Sequence, residues 1–373
     1  MDVYNLAYPN IQEEDINAVV SVLKSLHLSL GPKIPEFEEM VANYTGTKSA
    51  AAVSSGTTAL FLSLIAKNIR NSSNEIITSS FSFISSANVA IHAGAKPVFA
   101  EIDENSFNVT PETINEKINA NTKAIIPVDI FGRPIDCKGF RELADDHNLF
   151  YLQDSCEALG SFQNGVHTGS QADAATFAFY PNKQMTTGEG GVIVSNDQDF
   201  IQNVKSLRNQ GRAIDTSWLL HDKIGYNFRL TDIQAALGIS QLSRIEQFIK
   251  AKQQIVEWYN EILGKHSDIR VPSSPSNERI SWFVYTPKIN FDNLKLDHRD
   301  QLVDLLRDKG IRAGRYFVPI HLQPIYRSMF GYEEGFLPIT EKVATQTIAL
   351  PFHSFLKKEH VEHICDNLLN LID

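Results

Sequence analysis

The sequence predicts an α/β protein: a mostly parallel central sheet with helices on both faces, followed by a smaller C-terminal α+β region. Strand-like and helix-like stretches alternate through the first two-thirds of the chain, as parallel sheets with helical crossovers require. The strand runs are nearly continuous apolar segments, the pattern of strands covered on both faces.

In order, EIITSS (75–80), KPVFAEI (96–102), KAIIPVDIF (123–131), LFYLQD (149–154), ATFAFY (175–180) and GVIVSN (191–196) read as strands. Helical stretches near 57–70, 84–94, 111–119 and 136–147 lie between them. A long helix starts at Thr231, where Thr231 and Gln234 have capping-box spacing and Ile233, Ala236, Leu237, Leu242, Ile245 and Ile249 follow a helical period. Beyond about residue 250 the pattern changes. WFVYTPKI (282–289) reads as a strand and HRDQLVDLLRDKG (298–310) as a helix ending at Gly310. The expected division is a large domain over 1–248, with an N-terminal segment that packs on the small domain, and a small domain over 249–373.

Composition narrows the function classes. With 373 residues and 43% hydrophobic content, the chain can bury a large core. A net charge of −10 argues against a nucleic-acid binder, although a few local cations can still hold a phosphorylated ligand. Three cysteines without metal or redox spacing predict a reducing, cytoplasmic setting and no metal site. No secretory signal pattern and no run of membrane-spanning length is present, so no membrane partner is expected.

Three segments suggest chemistry. SSGTTALFLSL (54–64) opens a helix with small polar residues. Its free N–H groups suit a phosphate, or equally an ordinary buried capped helix. Asp154 ends a predicted strand, where α/β sheets place their ligands; a carboxylate there can meet a cationic ring nitrogen or cap the next helix. FAFYPNKQMTTGEGG (177–191) carries Lys183 between a buried strand and a glycine-rich turn. Its glycines match neither a dinucleotide fingerprint nor a P-loop.

The last segment strongly resembles the active-site lysine segment of the DegT-type nucleotide-sugar aminotransferases, fold-type I enzymes that use pyridoxal 5′-phosphate (PLP). LSLGPKIPEFEEMVANYTGTKSAAAVSSGTTAL, SFSFISSANVAIHAGAKPVFAEID, IIPVDIFGRPID, LQDSCEALGS, IGYNFRLTDIQAALG and VPIHLQPIY occur in the same order as in that family. The resemblance implies that Lys183 forms the Schiff base and that Asp154 pairs with the pyridine nitrogen. It implies that Gly56 and Thr57 form the phosphate turn and that Phe83 stacks on the cofactor ring. Glu157 falls at a further cofactor position. Asn227 matches an asparagine that reaches the cofactor phosphate of a neighbouring subunit, so a homodimer with shared active sites is implied. Glutamate is the implied amino donor and a nucleotide-linked 3- or 4-keto-sugar the implied acceptor.

Tyr180, Arg229, His321 and Tyr326 are candidates for substrate contact. For Tyr180 a core aromatic is the competing reading, for Arg229 an interface salt bridge, and for His321 a structural histidine. The chain departs from the family pattern at Ala178, Tyr180, Glu157 and Asp129, where Ser, His, His or Gln, and His are usual. The rival functions are a PLP-dependent sugar dehydratase, an aminotransferase for a non-sugar ketone, a regulatory protein of this fold, and a nicotinamide enzyme. Related dehydratases carry His at the lysine position, which favours transamination here.

Overall fold

The computed structural model of the chain describes residues 3–213, 220–292 and 294–373. Its strands are β1 (Ser49–Val53), β2 (Glu75–Ser79), β3 (Lys96–Ala100), β4 (Thr122–Ile126) and β5 (Phe150–Asp154), then the short β6 (Phe162–Gln163) and β7 (Val166–His167), then β8 (Ala174–Ala178) and β9 (Gly191–Ser195). Three two-residue strands follow: β10 (Ile269–Arg270), β11 (Glu278–Arg279) and β12 (Lys288–Ile289). The main sheet has seven strands in the order β1-β9-β8-β5-β4-β2-β3. Strands β2, β3, β4, β5 and β8 pair in parallel, whereas β9 is antiparallel to both of its neighbours.

The reversal of β9 has a local cause. Residues 179–190, which join it to β8, contain no helix that could cross over the sheet, and a parallel return needs such a crossover. The chain folds back instead, with Phe179 N–H donating to Gly190 O (2.9 Å) and Thr187 N–H to Phe179 O (3.0 Å).

The helices that cover the sheet are α1 (Glu13–Ser25), α2 (Lys33–Thr45), α3 (Gly56–Ala66), α4 (Ser85–His92), α5 (Pro111–Asn115), α6 (Cys137–Asp146), α7 (Gln198–Arg208), α8 (Asp232–Leu242), α9 (Ile245–Leu263) and α10 (Arg299–Asp308). Successive strand residues enter opposite layers. Ala51, Val53 and Ile193 pack with α3, α4 and α7, while Ala50, Ala52, Val192 and Val194 pack with α2 and α8. This period-two division explains why the strands contain no polar face. Buried acids tie the outer helices down: Asp15 of α1 pairs with Arg244 and accepts from Ser240 Oγ (2.7 Å), and Glu38 of α2 pairs with Lys205 (2.7 Å) and Arg208.

A separate apolar cluster draws on Ile255–Leu263 of α9, on α10 and on the helix Lys358–Ile372. Tyr4 joins it, with its N–H on Gly310 O (2.8 Å) and its carbonyl accepting from Arg312 N–H (2.9 Å). His360 and His363, whose helical spacing invites a metal reading, pack against the Tyr4 ring at 5.7 and 5.4 Å.

Three expectations need correction. The long helix after Thr231 is two helices, broken at Ser243–Arg244, so that α8 packs on the sheet side and α9 continues into the C-terminal cluster. The segment 282–289 forms a ladder only at Lys288–Ile289, because Trp282 and Tyr285 face one cluster and Phe283 and Val284 the other. The run 123–131 forms a regular ladder only to Ile126; beyond Pro127 it stays beside β5 through a single parallel bridge, Val128 to Asp154.

The cap at residue 231 forms as its spacing predicts: Thr231 Oγ1 accepts from Gln234 N–H (3.2 Å) and Gln234 Oε1 accepts from Thr231 N–H (3.0 Å). Thr231→Ala is expected to cost about 1 kcal/mol of stability. Urea unfolding of the two proteins checks this, and an unchanged midpoint would contradict it.

Candidate active site

Apart from β9, the main-sheet strands run in one direction, so the segments that follow β1, β5 and β8 meet at one edge. Ligands of α/β sheets bind at this carboxyl edge. Asp154, the last residue of β5, is only 4% exposed. Its backbone is pinned on both sides, N–H to Pro127 O and carbonyl from Asp129 N–H, each at 3.0 Å. Its Oδ2 accepts from Ser86 Oγ (2.7 Å) and its Oδ1 from Cys156 N–H (3.2 Å). The carboxylate is thus oriented and buried, and among the described residues no basic side chain forms an ion pair with it.

Lys183 reaches the same edge from the β8–β9 loop. Its backbone N–H donates to Tyr180 O (2.9 Å), its Nζ donates to Glu157 Oε1 (3.2 Å), and the ammonium lies 4.0 Å from the centre of the Phe283 ring. Glu157 Oε2 accepts from Phe131 N–H (3.0 Å). Burial raises the Glu157 carboxyl above the usual range, while Lys183 and the Phe131 amide pull it back. Burial also pushes the Cys156 thiol up, with Asp154 adding to the shift and Lys183 opposing it. Both charges therefore act on one sulfur.

The third component is the start of α3. Ser55 Oγ accepts from Thr58 N–H (3.1 Å), and the Thr57 and Ser85 hydroxyls lie 2.9 Å apart. The amides of Gly56 and Thr57 precede the first intrahelical hydrogen bond and are open to an anion. Two glycines permit this packing. A Cβ at Gly56 would lie 2.8 Å from Ala178 Cβ and from Cys156 Sγ, and one at Gly191 would lie 2.4 Å from Ser55 O. Ala178, where the family usually has Ser, therefore fills space beside Gly56 and offers no hydroxyl.

Phe83 and Tyr180 are exposed, at 59% and 51%, so Tyr180 is not a core residue. Asn227 is exposed and bridges to Asn209; Arg229 Nη1 donates to Asn209 Oδ1 (3.0 Å). His321 and Tyr326 both pack around Phe99. Both are fully buried. The His321 ring nitrogens are engaged by Ser80 Oγ (2.7 Å) and Glu341 Oε1 (3.0 Å), and the Tyr326 hydroxyl donates to Asn88 Oδ1 (2.8 Å). Sequence reasoning missed Ser86, Cys156 and Phe283 as neighbours of the charged pair. Ser86 and Cys156 stand inside the family-like segments, but no local pattern links residue 86 to 154 or 283 to 183.

Asp129 lies directly behind this edge and is fully buried. It accepts from Ile135 N–H (2.8 Å), Ser155 Oγ (2.6 Å) and Gln153 Nε2 (2.9 Å). Burial, reinforced by nearby Asp154 and opposed by these donors, raises its carboxyl to about 7.

The model of the DegT/DnrJ/EryC1/StrS aminotransferase family matches residues 9–369. The chain is 35% identical to the GDP-perosamine synthase of Vibrio cholerae over 92% of its own length and 91% of that protein. Among solved structures it is similar to Helicobacter pylori PseC, an aminotransferase involved in the biosynthesis of pseudoaminic acid, at 30% identity and a TM-score of 0.92, covering 100% of this chain and 99% of that one. It is also similar to DesV of S. venezuelae, determined in complex with a ketimine intermediate, at 30% identity and a TM-score of 0.89, covering 96% and 94%.

Asp129 also sets a pH dependence. Its folded value near 7 lies above the ordinary 3.8, so the folded state keeps a proton that the unfolded chain releases between those values. Stability from this group is therefore lost as pH rises through that window, by up to about 1.4 kcal/mol per pH unit. Relative to Asp129→Asn, the wild type should lose stability between pH ~4 and ~7. Urea unfolding across that range checks this; parallel curves for the two proteins would contradict it.

Proposed function

The chain belongs to the DegT/DnrJ/EryC1/StrS aminotransferase family of PLP-dependent enzymes, and from that premise we propose that it transfers an amino group from glutamate to a nucleotide-linked keto-sugar, with Lys183 and Asp154 as its central residues. The observation that carries this reading is the joint placement of a partly buried amine and a buried, cation-free carboxylate at the carboxyl edge of the sheet. The surroundings fit PLP point by point. Asp154 suits the cationic ring nitrogen, Lys183 the aldehyde carbon, the α3 terminus at Gly56 and Thr57 the phosphate, and exposed Phe83 the ring face. Asn227, exposed near this edge, suits the phosphate of a second copy, so the proposed unit is a homodimer.

When bound, PLP supplies an electron sink for charge developing at the amino carbon. The protein's own groups do the rest. Asp154, held by Ser86 and the Cys156 amide, keeps a fixed negative charge where the ring nitrogen carries its proton. At ~4 Å and an effective dielectric of ~20 that attraction is about 4 kcal/mol before desolvation is subtracted. Lys183 Nζ would hold the cofactor and, once free, would carry a proton to and from the reacting carbon. Glu157, 3.2 Å from Nζ, gives the freed amine a partner and keeps it near the reacting atoms. Tyr180 and Arg229 are the proposed contacts to the acceptor. Among the described residues no helix is long and apolar enough to cross a membrane. The three free cysteines fit the reducing cytoplasm proposed for this activity.

Lys183→Ala should lose the visible absorbance of bound cofactor and at least about 10²-fold in turnover. Asp154→Asn should bind cofactor yet turn over at least about 10²-fold more slowly. Absorbance spectra and steady-state rates decide both, and full activity in Lys183→Ala would overturn the assignment. The acceptor is tested by incubating the protein with PLP, glutamate and a panel of nucleotide keto-sugars, with mass spectrometry for the amino sugar. Amination of none of them, alongside amination of a simple 2-oxo acid, would contradict the sugar reading.

A further inference from the structure

A second lysine shares a cleft with Lys183. The cleft opens to solvent, takes in about 310 Å³ of non-atom space including its mouth, and is lined by Tyr8, Asn10, Pro181, Lys183, Lys252 and Ser354, among others. It is built from the segment before α1, the lysine loop, α9 and the segment before the C-terminal helix. The two lysines are the charged residues of its lining, and no carboxylate joins them there. Lys183 has Glu157 as a partner. Lys252 has none among the described residues: it is 8% exposed, forms no hydrogen bond or ion pair, and its ammonium rests 5.4 Å from the Phe352 ring centre. Burial, and then Lys183, lower it to about 8. Beside Lys252 lies His353, 7% exposed, with Nδ1 buried and without a hydrogen-bond partner. Burial, with Lys252 contributing, lowers that ring to about 4, so it is neutral at physiological pH.

A buried ammonium without a counter-charge is unfavourable for folding, and so is a buried ring nitrogen without a partner. The first is relieved by an anion in the cleft. We infer that this cleft is a binding subsite in which Lys252 takes a carboxylate of the amino donor. Position selects that source. Lys183 lines the same cleft, so a ligand that reaches Lys252 there also meets the reacting amine, and an amino acid carries its carboxylates close to its own amine. The diphosphate of a nucleotide sugar lies beyond the whole sugar ring. The inference rests on the amino-donor reading above and adds the residue that recognises the donor's charge. No pattern in the sequence marks Lys252, which stands among polar residues of a long amphipathic helix.

The test uses the PLP-loaded protein and its Lys252→Met variant, which keeps the length of the side chain and removes the charge. Titration calorimetry with glutarate, a dicarboxylate without an amine, should show affinity about tenfold weaker in the variant, as loss of a hydrogen bond to a charged group predicts. The single-turnover loss of visible absorbance with subsaturating glutamate should slow by a similar factor, while the reaction with propylamine, which has no carboxylate, should be unchanged. The variant's melting temperature should equal or exceed that of the wild type, because an uncompensated charge has been removed. Equal glutarate affinity in both proteins would overturn the subsite. So would equal slowing with propylamine, a lowered melting temperature, or pyrophosphate binding that depends on Lys252 where glutarate binding does not. If glutamate bleaches neither protein while glutarate still distinguishes them, the glutamate reading fails and the subsite stands.

Discussion

The hairpin reversal between β8 and β9 is the constraint on which the site depends. Because β9 returns antiparallel, the connecting residues must turn at the carboxyl edge of the sheet, and Lys183 is carried there with them. The same reversal brings Gly191, at the start of β9, against Ser55 O, where a side chain would collide. One topological choice therefore closes the sheet on the start of α3 and sets an amine beside the carboxylate that ends β5. A crossover helix in this position would have carried the lysine to another part of the molecule.

Electrostatics then divides the labour among four acids. Asp154 is held by neutral donors alone, which leaves its charge available to a ligand. Glu157 is matched to Lys183. Asp129, behind them, is buried so deeply that burial raises its carboxyl to about 7, and its donors from Ser155 and Ile135 brace the turn on either side of Asp154. Glu341 sits apart and fixes His321. Close carboxylates in a buried site cannot all carry full charge at low cost, and one of them responds by holding its proton.

Much of this was legible from the residues. The central strands lie where continuous apolar runs place them, and the capping box at Thr231 forms as its spacing requires. Lys183 and Asp154 were marked by their position at strand ends next to glycine-rich or polar turns. β1 was not evident, because SAAAV is short and its alanines have little strand preference. The break between α8 and α9 escaped because the apolar period continues across it while the packing partner changes. His321 and Tyr326 lie in a family-like stretch, yet resemblance carries no information on whether a polar atom is already satisfied within the core. Ser86, Phe283 and Lys252 approach the site through tertiary contacts between segments far apart in the chain, which no local pattern encodes.

The central claim is that one amine, at position 183, holds the cofactor. Reduction of the PLP-loaded protein with borohydride fixes the linkage, and peptide mass mapping then locates the pyridoxyl group. The account predicts the label on the peptide containing Lys183; a label on Lys252 or any other lysine would contradict it.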